Sequence, residues 1–339
     1  MILVTGGTGL VGSHLLYNLI TKGKNIRATY RRKHKLDTVK HVFSYYTDDY
    51  ENLFNSIEWV DADITNIPNL TDAFKGITHV YHCAAFVSFE PDKYRTLRKI
   101  NIEGTANIVN LSIKHNVKKL CYVSSIAAAG QTNNPDTLIN ETTEWNTELD
   151  HSVYAITKHG AELEVWRGTQ ENLNAVIVNP GIILGPGYWH GGGSGSLFKQ
   201  IHNGLSFYTK GSSAYIDVWD TVDIMVQLMD SDIKNEGFIL IAENIPFQDF
   251  NIKTAKALGV SKKTKEIKAW QLAFLWRLDW LSHKLLGKRR TLSKQLAKTL
   301  TSVTKHDNSK IKTTLNYNFT PIDVSIKKVS ELYLKDLKH

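Results

Sequence analysis

The sequence predicts an α/β fold, a doubly wound parallel sheet with a smaller, mainly helical C-terminal lobe. Short apolar runs alternate with helical patterns over roughly the first 245 residues, the signature of a parallel sheet covered on both faces. The turn TGGTGLVG joins the first apolar run directly to an amphipathic pattern. After Pro186 the texture changes, first to the glycine-rich GYWHGGGSGS and then, from Pro246, to a helical and basic pattern.

The elements follow in order. MILVTG is a strand ending in glycine, and VGSHLLYNLITKG is a helix with Gly23 as its C-cap. NIRATYRR and SIEWVDADIT are the second and third strands, LTDAFKG is a short helix, and ITHVYHCAA is the fourth strand. A helix is expected over about 93–116, then the strand KKLCYVSS, a long loop, a helix carrying Tyr154, and the buried strand in NAVIVNPGIILGPG. SAYIDVWD is expected to be a strand returning to the sheet, and GYWHGGGSGS a mobile loop. These readings place a dinucleotide-binding domain at 1–180, with return segments at about 214–245. A substrate-binding lobe takes 181–213 and 246–339. Trp270, Phe274, Leu278, Leu281 and Leu285 recur at helical spacing, which reads first as lobe core and second as a face lying on a membrane.

A chain of 339 residues exceeds one ordinary compact core, so a large domain with a lobe, or two domains, is expected. Two cysteines, Cys83 and Cys121, in apolar strand-like stretches exclude a disulfide framework and point to a reducing, cytoplasmic setting. The N-terminus lacks a basic region ahead of its apolar run, unlike a signal peptide. The most hydrophobic later stretch contains Arg277, Asp279, His283 and Lys284, too many charges for a bilayer span. No metal site and no nucleic-acid motif are expected. Between Lys262 and Lys312 there are 14 Lys/Arg against 3 Asp/Glu, more than the whole net charge of +8. That surplus reads as a solvated helical surface, with an anionic substrate or an anionic membrane surface as sharper alternatives. LLGKRRTLSKQLAKTL is the basic helix that would touch lipid.

Gly6, Gly9 and Gly12 stand between a strand and a helix start, the context of a Rossmann-type dinucleotide turn. Glycines let the backbone approach a pyrophosphate, and the helix N-terminus offers free N–H groups and partial positive charge. Thr5, Thr8, Leu10 and Val11 complete that turn. The end of the second strand, ATYRRKHK, carries Arg31 and Arg32 and no carboxylate. A guanidinium can bind a 2′-phosphate bidentately, which favours NADP(H) over NAD(H); otherwise both arginines are simply exposed. Asp63 and Ile64 end the third strand near the adenine, with Asp63 able to accept from its exocyclic amine.

Together TGGTGLVG, DADI, HCAA, NIEGT, YVSS, YAITK and NPGIILGPG, in that order, resemble the extended short-chain dehydrogenase/reductases. Within these the sequence is most similar to dihydroflavonol-4-reductase-like and 3β-hydroxysteroid-dehydrogenase-like enzymes of the NAD-dependent epimerase/dehydratase group. The resemblance covers about residues 1–245. It implies a catalytic centre of Ser125, Tyr154 and Lys158, with Asn101 nearby, and Cys83, Ala84 and Ala85 at the cofactor. It also implies that Lys158 bonds the nicotinamide ribose. The residue types suit this chemistry. A free phenol has a pKa near 10, and a lysine four residues on shares its helix face. Lowering the phenol by about three units needs roughly 4 kcal/mol, which an ammonium and an oxidised nicotinamide would supply jointly.

Pro180, Gly181 and Ile182 follow the sixth strand, where their backbone could hold the carboxamide. The substrate is expected between the sheet edge and the lobe, against Phe86, Ser88 and Phe89 and against Tyr188, Trp189 and His190. That aromatic rim points to a hydrophobic or planar small molecule, although aromatics also pack lobes. The expected activity is an NAD(P)-dependent interconversion of carbonyl and alcohol. A nucleotide-sugar epimerase or dehydratase with retained cofactor is the alternative, and a non-catalytic cofactor sensor the third. Homodimerisation is left open.

Overall fold

The computed structural model describes every residue except Asn133, Pro135, Asp136, Gly191, Gly192, Ser206, Lys262, Lys263, Lys288, Arg289, Thr291 and His339, and except the Pro91 side chain. Part of the expected glycine-rich loop and part of the expected basic helix therefore lie outside the described residues. Six strands come first: β1 (Ile2–Thr5), β2 (Ile26–Tyr30), β3 (Glu58–Asp61), β4 (His79–His82), β5 (Lys119–Val123) and β6 (Ala175–Pro180). Then follow β7 (Ile182–Leu184), β8 (Phe207–Tyr208), β9 (Ser212–Asp217), β10 (Glu236–Leu240), β11 (Glu243–Pro246) and β12 (Lys265–Glu266). The main sheet has seven strands in the order β10-β6-β5-β4-β1-β2-β3, every pair parallel. Between β1 and β4 the direction of winding reverses, and ligands of such sheets bind outside the carboxyl ends of the strands at that point.

Continuous burial marks the middle of the sheet. Every residue of β5 and β6 is buried, as expected of strands covered on both faces. One face packs Leu15, Leu16 and Leu19 of the Leu10–Thr21 helix with Val222 and Met225 of the Val218–Asp230 helix. The opposite face packs Ile108 and Val109 with Ala161 and Val165. Each such fully buried aliphatic side chain contributes about 1.5–3 kcal/mol. The Val153–Gln170 helix starts at Ser152, whose Oγ accepts from the Ala155 N–H at 3.1 Å. Its buried stripe runs Tyr154, Lys158, Ala161, Val165, Gly168, so the tyrosine and lysine occupy positions that the helical period assigns to the core.

SAYIDVWD is a strand, but it does not return to the main sheet. As β9 it pairs with β11 and β7 in a separate three-stranded sheet, and β10 is the strand that rejoins the main one beside β6. The cause is local: β7 leaves β6 after Gly181 and needs a partner of its own. The glycine-rich stretch is also shorter than expected as a loop, because the helix Ser194–His202 begins within it, with Gly193 as its N-cap. Phe198, Tyr215, Phe250, Ile326 and Tyr333 form the core of this smaller part.

The apolar stripe 270–285 is not that core. Trp270, Phe274, Leu278, Leu281 and Leu285 are 67%, 59%, 43%, 44% and 70% exposed, and within the Ala269–Leu286 helix Leu272 alone is buried. Nor do the following residues form one long basic helix. The chain breaks at Gly287 in the left-handed region, φ 63°, and a second helix spans Lys294–Thr301.

The C-terminal helix, Ile322–Asp336, ties the lobe to the large sheet through Asp336. Its carboxylate accepts from Trp189 Nε1 at 2.6 Å, from His41 Nε2 at 3.0 Å and from the Tyr45 hydroxyl. Burial pushes this carboxyl up, but His41, Tyr45 and Trp189 outweigh it and leave the pKa below the usual value. Asp336→Ala strands three donors at once and should cost about 1–3 kcal/mol in urea or thermal unfolding. An unchanged midpoint would mean that the junction is held elsewhere.

Candidate active site

The glycine turn sits at the reversal point of the sheet. Gly6 has φ +71°, and a Cβ there would lie 2.5 Å from the Ala84 nitrogen. A Cβ on Gly12 would lie 2.2 Å from the Gly6 carbonyl oxygen. No side chain fits at either place, so the turn closes against both β4 and its own helix. The helix makes its first internal bond from the Ser13 N–H to the Gly9 carbonyl at 2.9 Å, and Gly9 offers no side-chain cap. The N–H groups of Leu10, Val11 and Gly12 thus have no acceptor within the helix. This cradle fits a pyrophosphate on the geometry of the chain itself.

A crevice continues from the turn across the strand ends. Its walls include Gly6, Thr8, Gly9, Arg31, Arg32, Asp63, Ile64, Cys83, Ala84 and Ala85, all expected from the sequence. They also include Lys35 and Phe86. Thr5 is not part of it: its hydroxyl turns into the core and meets His82 Nδ1 at 2.7 Å, whose Nε2 meets the Thr105 hydroxyl at 2.9 Å. Asp63 Oδ1 already accepts from the backbone N–H and hydroxyl of Thr65, at 2.9 and 2.8 Å, and Oδ2 lies 3.6 Å from Arg31. Burial raises the Asp63 carboxyl, while Thr65 and Arg31 outweigh it and hold it low. Its carboxylate is therefore largely engaged before any adenine arrives. Lys35, which the sequence reading missed within RRKHK, has its pKa lowered by burial and then by Arg32 and Arg31. Three cations crowd one rim and relax their mutual repulsion when an anion comes between them.

Beside the crevice stands the Tyr154–Lys158 stripe. Lys158 is 1% exposed. Its Nζ donates to the Tyr122 hydroxyl at 2.7 Å and to the Val123 carbonyl at 2.8 Å, both from β5. Burial lowers the amine to about 7, with Glu162 and Cys83 pulling it back up. The sequence reading expected Lys158 and an oxidised nicotinamide to lower the Tyr154 phenol jointly; in the chain alone burial acts the other way. Burial raises its phenol to about 12, and a hydrogen bond with the Ser125 side chain lowers it in part. In the polypeptide alone the phenol is a protonated acid at neutral pH.

Ser125 lies two residues beyond β5 and caps a short turn, its Oγ accepting from the Ala127 N–H at 3.1 Å. Asn179, a polar residue within the apolar strand β6, donates to the Ser125 carbonyl at 3.1 Å and to Glu162 Oε1. Burial raises the Glu162 carboxyl, with Ser124, Asn179 and Lys158 lowering it in part. Neither Asn179 nor Glu162 was singled out from the sequence. Glu162 was legible as the residue four beyond Lys158 on the same face. Asn101 lies in a π-helical stretch, Arg98–Glu103, a distortion frequent at functional sites. Its Oδ1 accepts from the Phe86 N–H at 2.8 Å, and its Nδ2 donates to the Phe86 carbonyl at 3.0 Å and the Thr157 hydroxyl at 3.2 Å. It joins the segment after β4 to the Tyr154 helix, with both amide N–H groups donated and one bond accepted at Oδ1.

Of the residues expected to face substrate, Phe89 meets Tyr154 edge to face with centroids 5.6 Å apart. Ser88 accepts from the Glu90 N–H within its own turn at 3.2 Å. Trp189 bonds Asp336 and packs against Phe198 and Tyr333, so it serves the lobe core. His190 Nδ1 meets Lys199 Nζ at 3.0 Å. Tyr188 is half-buried with its hydroxyl turned inward, where burial raises the phenol and Ser13 lowers it in part. Aromatic packing within the lobe explains Trp189. The Gly181 N–H donates to the Leu240 carbonyl at 3.0 Å and is not free to hold a carboxamide.

A doubly wound sheet, a glycine cradle at its switch point and a tyrosine–lysine stripe beside it define an NAD(P)-dependent oxidoreductase of the extended short-chain type. The model of the NAD dependent epimerase/dehydratase family matches residues 2–242, and the chain belongs to that family. It is 26% identical over 250 residues to sterol demethylase protein B of Methylococcus capsulatus, covering 71% of this chain and 70% of that one. It is 25% identical over 253 residues to cinnamoyl-CoA reductase 1 of Petunia hybrida, covering 72% and 73%. A solved UDP-glucose 4-epimerase from Thermotoga maritima, with UDP-glucose, superposes with a TM-score of 0.78 at 19% identity over 99% of both chains.

Gly6→Ala adds a Cβ where backbone already stands, in a conformation that costs a residue with a side chain about 1–2 kcal/mol. Titration of protein fluorescence with NADPH should show at least tenfold weaker binding. Retained affinity would separate the turn from the cofactor.

Proposed function

We propose that the protein is an NADP(H)-dependent reductase that interconverts a carbonyl and an alcohol on a hydrophobic small molecule. The observation that carries this is the placing of Tyr154 and Lys158 on the buried stripe of one helix, with Ser125 against the phenol. When bound, the nicotinamide supplies hydride to the carbonyl carbon or takes it from the alcohol. In reduction Tyr154 gives its proton to the carbonyl oxygen, and a phenol raised to about 12 is in the form that can do so. Ser125 orients that oxygen, Asn179 holds the Ser125 backbone, and Asn101 positions Phe86 and the helix. In oxidation the phenolate needs positive charge nearby, which Lys158 provides in its ammonium form.

Arg31, Arg32 and Lys35 support NADP over NAD, since the three form one cationic rim with no free carboxylate among them. Phe89 against Tyr154 supports an apolar or planar substrate, as do relatives named for a sterol and for a cinnamoyl thioester. A nucleotide-sugar epimerase is the second reading, favoured by the family description itself. Such an enzyme would purify with its cofactor and show no net change in nicotinamide absorbance.

Replacing both arginines by alanine should weaken NADPH by about 1.5–3 kcal/mol, roughly tenfold or more, and leave NADH nearly unchanged. Tighter binding of NADH by the unaltered protein would overturn the assignment. Tyr154→Phe should keep cofactor affinity and lose on the order of 10²–10⁴ in turnover on a carbonyl panel; full turnover would remove the proton donor. Activity that needs the Lys158 ammonium falls as pH rises through about 7. Glu162→Gln deletes a charge that raises that value, so the alkaline limb of kcat/KM should move to lower pH. A shift to higher pH would contradict the assignment.

A further inference from the structure

The Ala269–Leu286 helix is apolar on two sides and packed on one. Leu272 faces the protein, while Trp270, Phe274, Leu278, Leu281 and Leu285 face outward. At 3.6 residues per turn those five fall within roughly 80° of arc, a continuous stripe. We propose that this stripe docks the protein on the surface of an anionic lipid bilayer, with the helix lying in the headgroup plane. The proposal does not depend on which reaction the crevice performs.

Charge selects this occupant. Arg277 and Lys284 are exposed along one edge of the stripe, and among the described residues no carboxylate lies within ion-pair distance of either. Each cation sits over an indole of the same helix, Arg277 4.5 Å from the Trp276 ring centre and Lys284 5.2 Å from that of Trp280. Apolar side chains beside tryptophan and long basic chains suit the boundary between acyl chains and headgroups. Lys268, at the start of this helix, and Lys294 and Lys298, in the next, are exposed too; of these Lys294 has an acidic neighbour, Asp150, at 3.6 Å. The segment between Lys262 and Lys312 carries 14 basic against 3 acidic residues. A second copy is a poor fit for the same face. A two-fold contact sets a patch against itself, which would bring two such cationic surfaces together. No helix among the described residues is long and apolar enough to cross a membrane, so the mode is surface attachment.

The test is cosedimentation at low ionic strength with vesicles of phosphatidylcholine containing phosphatidylglycerol, against vesicles of phosphatidylcholine alone. The protein should pellet with the anionic vesicles, weakly or not at all with the neutral ones, and be released by added salt. Two double variants, Trp270→Asp with Leu285→Asp and Arg277→Glu with Lys284→Glu, should each reduce anionic binding on the order of tenfold or more. All four positions are exposed, so far-UV circular dichroism and the unfolding midpoint should stay as in the parent chain. Failure to pellet with anionic vesicles, equal pelleting with neutral ones, or binding unaffected by both variants would overturn the proposal. Self-association that the aspartate variant abolishes, without vesicle binding, would assign the face to a second copy instead.

Discussion

Burial of one amine organises the active region. Lys158 is held beneath the carboxyl end of β5 by a tyrosine hydroxyl and a backbone carbonyl, and no solvent reaches it. Removing an ammonium from water costs several kcal/mol unless its donors are matched. The surroundings meet that cost in part and by specific means. Tyr122 and Val123 accept hydrogen bonds, Glu162 provides negative charge, and the neighbouring His82 is lowered to about 3 and stays neutral, so it adds no repulsion. The amine is left poised near neutrality, where its charge state responds to a carboxylate, a thiol or a bound ligand nearby.

Several elements have to agree for this to hold. Rotating the Val153–Gln170 helix by one residue would carry Lys158 off the buried stripe and put Thr157 or His159 beneath β5 in its place. Ser152 fixes where the helix begins, Ala161 and Val165 fix which side faces the sheet, and Asn101 ties the helix through Thr157 to the segment after β4. β6 adds Asn179, which spans Ser125 and Glu162. Fold and chemistry therefore share the same contacts: the packing that makes the sheet stable also sets the charge of the lysine.

Much of this was legible in the sequence. The alternation of apolar runs and helices gave the sheet, because strands buried on both sides have little freedom in composition. Gly6 and Gly12 were legible because backbone contact excludes every side chain there, and Tyr154 and Lys158 because their spacing matches the helix period. What the sequence hid was three-dimensional pairing. β9 has the composition of any buried strand, and nothing in SAYIDVWD says which sheet it joins. The Tyr154 shift follows burial, which spacing along a helix does not show, and the same spacing does not reveal the acceptors of Lys158 on β5. Asn179 was visible as a polar residue in an apolar strand but had no assigned partner. The stripe 270–285 had a period that fits core and surface equally well, and its exposure depends on what the rest of the lobe leaves uncovered.

The glycine cradle and the lysine stripe meet at the segment 83–89, which lines the crevice on one side and touches Tyr154 through Phe89 on the other. The lobe joins the large sheet elsewhere, through Asp336 and through β7, which begins one residue after β6 ends. The most direct test of the account is the titration of the Lys158 amine itself, followed by NMR of lysine labelled with ¹³C at Cε and assigned with Lys158→Met. Burial as described predicts a midpoint near 7. A midpoint near the ordinary lysine value of about 10.4 would show the amine to be solvated and would contradict the account.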